Sequence, residues 1–288
     1  FVAWRSPHPT PFILFTCADW CYQSQFSCDH QCNSKYFIDC DGRYQSPINV
    51  VTRKTLLDER LTPFKFTNYQ QIFRGFIKNN GHSVQVGVPH LSTISGGGLS
   101  TTYKAVQFHL HWGNSKGPGS EHTIDGEQYP MELHIVHMKH HYTDLSTALA
   151  DQEGVAVLVA SSTVNKYSLN VFVSDGNTSL PPVSLAQLLP PEQNLTSFYR
   201  YKGSLTTPGC TEAVVWTLFE NTIPLSSDQL RAFFDLKFHD GKPMVDTFRP
   251  VQPLNGRQVF RSGATVALTS TALLVAALAS ALGLSQLN

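Results

Sequence analysis

The segment Gln107-Phe108-His109-Leu110-His111-Trp112 is the stretch that best indicates how this chain folds, because histidines and large apolar residues alternate along it. A β-strand points alternate side chains to the same face, so His109 and His111 project together with Cα atoms about 6–7 Å apart. The apolar residues assigned to the opposite face are Val106, Phe108, Leu110 and Trp112. The pattern predicts a strand with one face in the core and one face carrying imidazoles.

A second alternating run, Met131-Glu132-Leu133-His134-Ile135-Val136, supplies a third histidine. Three imidazoles with an open fourth position are the ligand set of a catalytic zinc, whereas structural zinc sites are closed by four protein ligands. Gln107 and Glu132 each precede a candidate ligand by two residues, so each can accept the second ring N–H and fix the tautomer. The predicted cofactor is therefore Zn²⁺, and its predicted ligands are His109, His111 and His134.

Composition places the chain among globular proteins with a sizeable core. Of its 288 residues 41% are hydrophobic, and Lys plus Arg equal Asp plus Glu at 21 each. Without a basic run, nothing in the sequence indicates nucleic acid as a partner. No internal repeat or long low-complexity linker divides the chain, which predicts one domain.

Short apolar or alternating runs, bounded by Gly, Pro, Asn and Ser, dominate the remaining pattern and predict a large, mainly antiparallel sheet. The predicted strands include residues 84–88, 105–112, 131–138, 155–160 and 213–219. Helical patterns are few and cover residues 144–150, 184–189 and 227–234.

Five motifs in the same order resemble the α-class carbonic anhydrases over roughly residues 20–260. They are Gln45-Ser46-Pro47-Ile48-Asn49, Asn79-Asn80-Gly81-His82-Ser83, the His109/His111 strand, Ser120-Glu121-His122-Thr123-Ile124-Asp125-Gly126 and Gly203-Ser204-Leu205-Thr206-Thr207-Pro208. Trp20-Cys21-Tyr22 and an apolar tail resemble the GPI-anchored, type IV-like branch in particular. The resemblance implies an α+β, mainly β single domain: a twisted, mostly antiparallel sheet of about ten strands with short peripheral helices.

The resemblance also implies zinc-dependent, reversible hydration of carbon dioxide to bicarbonate and a proton. Thr206 and Glu121 then orient the attacking oxygen, and Thr207 contacts the bicarbonate beside Thr206. His82 takes the position of the proton shuttle, with Tyr22 ordering waters on the proton path. The hydrophobic wall that receives the substrate comprises Val136, Val157, Leu205, Val214 and Trp216. His122, His137, His140 and His141 are interpreted as structural or surface residues.

Six cysteines in a chain with secretory features indicate disulfides. By resemblance Cys40 pairs with Cys210. Cys21 pairs with either Cys32 or Cys28, and Cys32 is preferred because its spacing is nearer the type IV pattern.

The two ends predict export and membrane attachment. Residues 1–18 are interpreted as a partial signal peptide or a misassembled N-terminus, 19–262 as the catalytic domain and 263–288 as a hydrophobic propeptide. Small residues at Ser262, Gly263 and Ala264 precede an uncharged tail with no trailing Lys or Arg, which favours a GPI anchor on Ser262. A single transmembrane span is the alternative, since the tail is long enough to cross a bilayer.

Two Asn-x-Ser/Thr sequons, at Asn177 and Asn194, fit the same compartment. The predicted location is the extracellular face of the plasma membrane. The expected partners are carbon dioxide and bicarbonate, the membrane through its glycolipid, and bicarbonate or acid/base transporters. A zinc-free, inactive carbonic anhydrase-related binding module is the alternative function. The chain keeps all three candidate ligands together with Glu121 and Thr206, which favours the enzyme.

Overall fold

One large sheet organises this protein, for which the computed structural model describes Tyr22 and residues 38–164 and 181–263. The strands are β1 (Asn49–Val50), β2 (Leu56–Leu57), β3 (Phe64–Thr67), β4 (Ile77–Asn79), β5 (Val84–Gly87), β6 (Thr93–Gly96), β7 (Tyr103–Trp112), β8 (Thr123–Ile124), β9 (Glu127–Gln128), β10 (Met131–Lys139), β11 (Val155–Val164), β12 (Phe198–Gly203), β13 (Val214–Phe219), β14 (Ile223–Leu225) and β15 (Phe260–Arg261). Twelve of them form one sheet, and β1, β8 and β9 form a smaller one.

The large sheet runs in the order β2-β15-β12-β13-β11-β10-β7-β5-β4, with β14 pairing β11 and β6 joining β3 to β7. Most neighbours are antiparallel, as predicted. The parallel pairs are β11 with β13, β11 with β14, and β15 with β2. The count exceeds the expected ten because two-residue strands such as β2 and β15 extend one edge.

Helices are short and peripheral, as expected from the sequence. They are α1 (Leu145–Ala148) and α2 (Ser227–Phe233), and each begins at a capping side chain. The Asp144 side chain accepts from Thr147 N at 2.8 Å, and Ser226 caps α2 through Gln229 N at 3.1 Å. The third predicted helix is instead a single 3-10 segment, Leu185–Leu188. Pro190 and Pro191 follow it, and proline cannot continue a helix.

Alternation along the central strands separates two apolar cores. On β10, Leu133 and Ile135 join the large core, which also contains Phe108, Leu110 and Trp112. The other face packs a smaller cluster, called here the site-side core, which comprises Ile48, Val50, Val136, Met138, Ala148, Val155, Val157, Val159, Tyr199, Tyr201, Val214, Trp216, Leu218 and Val259. The histidines predicted as ligands therefore lie on the face of the sheet that is covered by the site-side core.

One orientation predicted on β7 is wrong. Val106 packs against the site-side core, although strict alternation places it with Phe108. The register between β7 and β10 shifts there, because His137 opposes Ala105 whereas Val136 opposes Gln107. Val106 is thus the extra residue of a β-bulge, which changes which face each side chain occupies.

Several predicted features lie outside the described residues: the N-terminal disulfide of Cys21, the sequon at Asn177 and the tail from residue 264 onward. Within the described ranges, no helix is both long and apolar enough to cross a bilayer. Asn194 is exposed at the end of a 3-10 segment. Ser262 is buried and hydrogen-bonded to the chain around Phe198, donating to Thr196 O at 2.7 Å.

Candidate metal centre and active site

The three predicted zinc ligands converge where β7 and β10 pair. His134 lies directly opposite His109 in the antiparallel register, and His111 follows on the same face of β7. One ring nitrogen from each of the three lies within 4.8 Å of the other two. His134 Nδ1 and His109 Nε2 approach each other at 3.2 Å. The pleat of two adjacent strands is thus sufficient to bring the three imidazoles together.

Each of these imidazoles has an acceptor for its second ring nitrogen. Gln107 Oε1 lies 3.0 Å from His109 Nδ1, and Glu132 Oε1 lies 2.5 Å from His134 Nε2. The Thr247 carbonyl lies 2.5 Å from His111 Nδ1. With the N–H held by these acceptors, the lone pairs remain on His109 Nε2, His111 Nε2 and His134 Nδ1.

These lone pairs fit a cation. His111 Nε2 is buried and has no hydrogen-bond partner among the described residues, and the facing nitrogens of His109 and His134 repel each other unless positive charge lies between them. Burial lowers the pKa of His109 and His134, which keeps both rings neutral and able to coordinate. Three neutral imidazoles, with no fourth ligand among the residues that the structure describes, match a catalytic zinc site.

A buried carboxylate lies beside the three histidines. Glu121 Oε2 is 3.5 Å from His111 Nε2, and it has no hydrogen-bond partner in the described structure. The other oxygen, Glu121 Oε1, accepts from Arg249 N at 2.9 Å. Thr206 is also buried, in the loop that follows β12. Glu121 therefore retains one oxygen that can accept a hydrogen bond.

The predicted hydrophobic wall forms a row across the site-side core. Val136 of β10 opposes Val157 of β11, which in turn opposes Trp216 of β13. Val214 is fully buried in the same core, and Leu205 packs against it. The ring of Trp216 lies 5.0 Å from that of His134, edge to face. An apolar surface thus extends directly from the candidate metal ligands.

Comparison with known proteins agrees with this geometry. Residues 28–263 match the eukaryotic-type carbonic anhydrase family. The chain belongs to that family. It is 41% identical over 261 residues to carbonic anhydrase 4 of Oryctolagus cuniculus, covering 85% of this chain and 84% of the relative. It is 36% identical to carbonic anhydrase 15 of Mus musculus, covering 84% and 83%. It is also 36% identical to carbonic anhydrase 12 of Homo sapiens, covering 83% and 72%. These matches confirm the predicted family, fold and zinc chemistry.

In this carbonic anhydrase the predicted acceptor Glu132 begins a buried chain of polar groups behind His134, and the sequence did not indicate the rest of that chain. Glu132 Oε1 contacts both His134 and His122 Nδ1, the latter at 2.7 Å. His122 Nε2 contacts the Tyr201 hydroxyl at 2.7 Å, which donates to Ser46 Oγ at 2.9 Å. Burial raises the pKa of Glu132, but the charge of His122 and hydrogen bonds from both histidines outweigh it and lower the pKa below the usual range. Glu132 is thus an anion held between two rings.

Arg249 also belongs to the site, although no sequence pattern indicated it. Its Nη1 donates to Gln45 Oε1 at 2.9 Å and to the Ser46 carbonyl at 2.8 Å, while its backbone donates to Glu121. Gln45 Nε2 in turn donates to the Cys210 carbonyl at 3.1 Å. Arg249 therefore links the carboxylate beside the metal ligands to the loop that carries Thr206.

The predicted bridge between Cys40 and Cys210 is confirmed, with Cα atoms 4.9 Å apart. Cys210 N donates to the Thr207 carbonyl at 3.0 Å, and Leu205 N donates to the Thr211 carbonyl at 3.0 Å. Thr206 and Thr207 thus lie in a loop held by one covalent link and several hydrogen bonds.

His82 lies in the turn between β4 and β5, and the structure leaves its ring half-buried. The exposed ring of His239 stands edge to face with it at a centroid distance of 5.5 Å. His239 Nε2 contacts the Asn80 carbonyl at 2.8 Å. Tyr22 is buried nearby, 6.3 Å from the ring of Phe238. The site therefore has a rigid strand-borne part and a rim built from turns.

Proposed function

We propose that this carbonic anhydrase catalyses the zinc-dependent, reversible hydration of carbon dioxide to bicarbonate and a proton at the extracellular face of the plasma membrane. The observation that carries the reaction is the convergence of three imidazole lone pairs, each fixed by an acceptor on its second nitrogen, beside an apolar wall. The chemistry that a zinc ion supplies on His109, His111 and His134 is Lewis acidity, which lowers the pKa of a water molecule so that a nucleophile exists near neutral pH.

Glu121 and Thr206 orient the attacking oxygen. Glu121 Oε2, which has no partner in the described structure, can accept a hydrogen bond from the Thr206 hydroxyl. The Thr206 oxygen is then oriented to accept a hydrogen bond from the nucleophile. A lone pair of the nucleophile then points toward the substrate carbon. Thr207, the next residue in the same loop, contacts the bicarbonate product.

The wall of Val136, Val157, Leu205, Val214 and Trp216 receives the substrate. Carbon dioxide carries no net charge and donates no hydrogen bond, so an apolar surface holds it without a competing desolvation cost. Bicarbonate is charged and better solvated, which favours its departure from this surface.

His82 removes the proton that each hydration releases. An imidazole titrates near neutral pH and can exchange protons with buffer, which suits a shuttle at the rim of the site. Tyr22, buried beside Phe238, orders the waters between His82 and the reacting oxygen.

The reaction is tested by measuring zinc content and stopped-flow carbon dioxide hydration on the same purified protein. We expect one zinc ion per chain and hydration that disappears when zinc is removed and returns when zinc is restored. Zinc bound without hydration, or no zinc at all, would instead favour the inactive binding module.

The location rests on four features of the chain. These are the confirmed disulfide, the exposed sequon at Asn194, a second sequon at Asn177 and an uncharged tail after Ser262. Oxidised cysteines are typical of exported proteins. We propose that both asparagines carry glycans, that Ser262 carries a glycolipid and that residues 263–288 are removed. Bicarbonate or acid/base transporters are the proposed neighbours in the membrane.

Treatment of intact cells with a phosphatidylinositol-specific phospholipase tests the anchor. We expect surface protein to be released, and mass spectrometry of the released protein to show a C-terminal peptide ending at Ser262. Intact peptides from residues 264–288 in mature protein would contradict the anchor and favour a transmembrane span.

A further inference from the structure

A cavity of about 730 Å³ lies beside β12, away from the metal site. Strand β15 pairs only with Tyr199 and Arg200 of β12, and the cavity opens beside the residues that follow them. Its lining includes none of the three metal-site histidines. A volume of this size is within the range of small-molecule sites.

Arg200 is the distinctive group in this cavity because it is a charged residue that is only 7% exposed. Its Nε and Nη2 both donate to a single acceptor, Thr217 Oγ1, at 3.2 and 2.9 Å. The guanidinium also lies over the rings of Phe64 and Phe198, 5.9 and 5.7 Å from their centroids. A guanidinium has five N–H donors, so most of its hydrogen-bonding capacity is not used by the described residues.

The nearby carboxylates are already engaged by other cations. Asp58 accepts from Arg60 Nε at 2.9 Å and Nη2 at 2.8 Å, and Glu153 pairs with Lys202 Nζ at 2.5 Å. Among the described residues, Arg200 has no carboxylate within salt-bridge distance. Burial lowers the pKa of Arg200 to about 10, so it remains charged at neutral pH.

The charge balance of the lining points to a monoanion. Four basic and three acidic side chains surround the cavity: Arg60, Arg200, Lys202 and Arg257 against Asp58, Glu153 and Glu212. Glu212 is also engaged, since it accepts from Tyr44 N at 2.6 Å. Arg257 donates to four backbone carbonyls, whereas Arg200 has only Thr217 Oγ1 as an acceptor among the described residues. Because a buried charge is costly unless a partner compensates it, Arg200 is the guanidinium left to pair with a ligand.

We infer that this cavity is a binding site for a small organic monocarboxylate, whose carboxylate pairs with the Arg200 guanidinium. A planar guanidinium matches a carboxylate with two parallel hydrogen bonds. The remainder of the ligand is apolar, because the walls beyond Arg200 include Leu61, Leu99, Tyr103, Val215 and Phe260. The site is independent of the reaction proposed above.

Ligand-observed ¹⁹F NMR with 4-fluorobenzoate tests this site, and 4-fluorobenzamide is the uncharged control. Benzoate should bind the wild type and benzamide should bind at least about 10-fold more weakly, since only the anion forms charge-assisted hydrogen bonds. Arg200→Gln should weaken benzoate binding about 10-fold or more. Arg231→Gln makes the same chemical change on the exposed face of α2, and it should leave the affinity within about twofold.

Two further variants keep the result decisive. Gln152→Glu adds a negative charge at the exposed rim of the cavity without touching Arg200, and it should weaken benzoate binding by about threefold even if Arg200→Gln fails to fold. His134→Ala disrupts the metal site, and it should leave benzoate binding unchanged. Loss of binding in His134→Ala, or unchanged binding in Arg200→Gln and Gln152→Glu, would overturn the inference.

Discussion

The three metal-site histidines lie on paired strands, whereas the rim residue His82 lies in a turn, and the two positions differ in geometry and exposure. His109, His111 and His134 lie on two long paired strands, and each has a fixed acceptor for its second nitrogen. His82 lies in a turn, half-buried, against the exposed ring of His239. A metal site requires fixed geometry, whereas the proton shuttle proposed at His82 must reach both the site and the solvent. Loss of a ligand should therefore abolish the chemistry, and loss of a rim residue should slow one step.

The largest expected effect is that of His134→Ala. Two remaining imidazoles make a poor zinc site, so zinc content should fall to background and hydration should drop by about 10³-fold or more. Zinc analysis and stopped-flow hydration measure both quantities. An active His134→Ala variant with normal zinc content would show that the strand-borne histidines are not the metal ligands.

Removal of the bridge by Cys40→Ser/Cys210→Ser should lower the free energy of unfolding by about 2–5 kcal/mol, because the bridge closes a long loop. Urea unfolding monitored by tryptophan fluorescence checks this. Zinc content should be retained at neutral pH while hydration falls, since the bridge restrains the Thr206 loop and not the strands. Equal loss of zinc and hydration would show that zinc binding on the strands also depends on the Thr206 loop.

Glu132→Gln should weaken zinc binding about 10–100-fold, because the amide replaces the anion that holds His134 and His122. Competition with a fluorescent chelator measures the affinity. Glu127→Gln makes the same change at an exposed residue of β9 and should have no effect. If both variants bind zinc like the wild type, the buried carboxylate does not stabilise the ligand.

The smallest effect is expected for His82→Ala. Zinc should remain bound, and hydration at low buffer concentration should fall about 10-fold because proton removal becomes slow. Added imidazole should restore much of the rate in His82→Ala but not in His134→Ala. Unchanged hydration at low buffer concentration would show that His82 is not the proton shuttle.

The ligand set was predictable from the sequence because it depends on local alternation. Gln107, His109 and His111 follow one another at two-residue intervals on β7, and Glu132 precedes His134 by the same interval on β10. The acceptor of His111 was not predictable, since Thr247 is separated from it by 136 positions and contributes only a backbone carbonyl.

Other features could not be predicted because they arise from pairing across the fold. Arg249 contacts Glu121 across 128 positions, and no local pattern marks it. The contact of His122 with Tyr201 fits the structural role predicted for His122, but the partner could not be predicted because it lies 79 positions away. The cavity at Arg200 likewise depends on how little of β12 is covered by β15.

The bulge at Val106 has a consequence for how the chain tolerates changes in length. Ala105 and Phe108 both face the large core because Val106 is an additional residue between them. Deletion of Val106 would leave both ends of β7 on their present faces, because Ala105 and Phe108 would then stand two positions apart, as the alternation of strand side chains requires. A one-residue deletion between Phe108 and Trp112 would instead turn one end of the strand over, so β7 tolerates such a loss at its bulge and not within its histidine-bearing end.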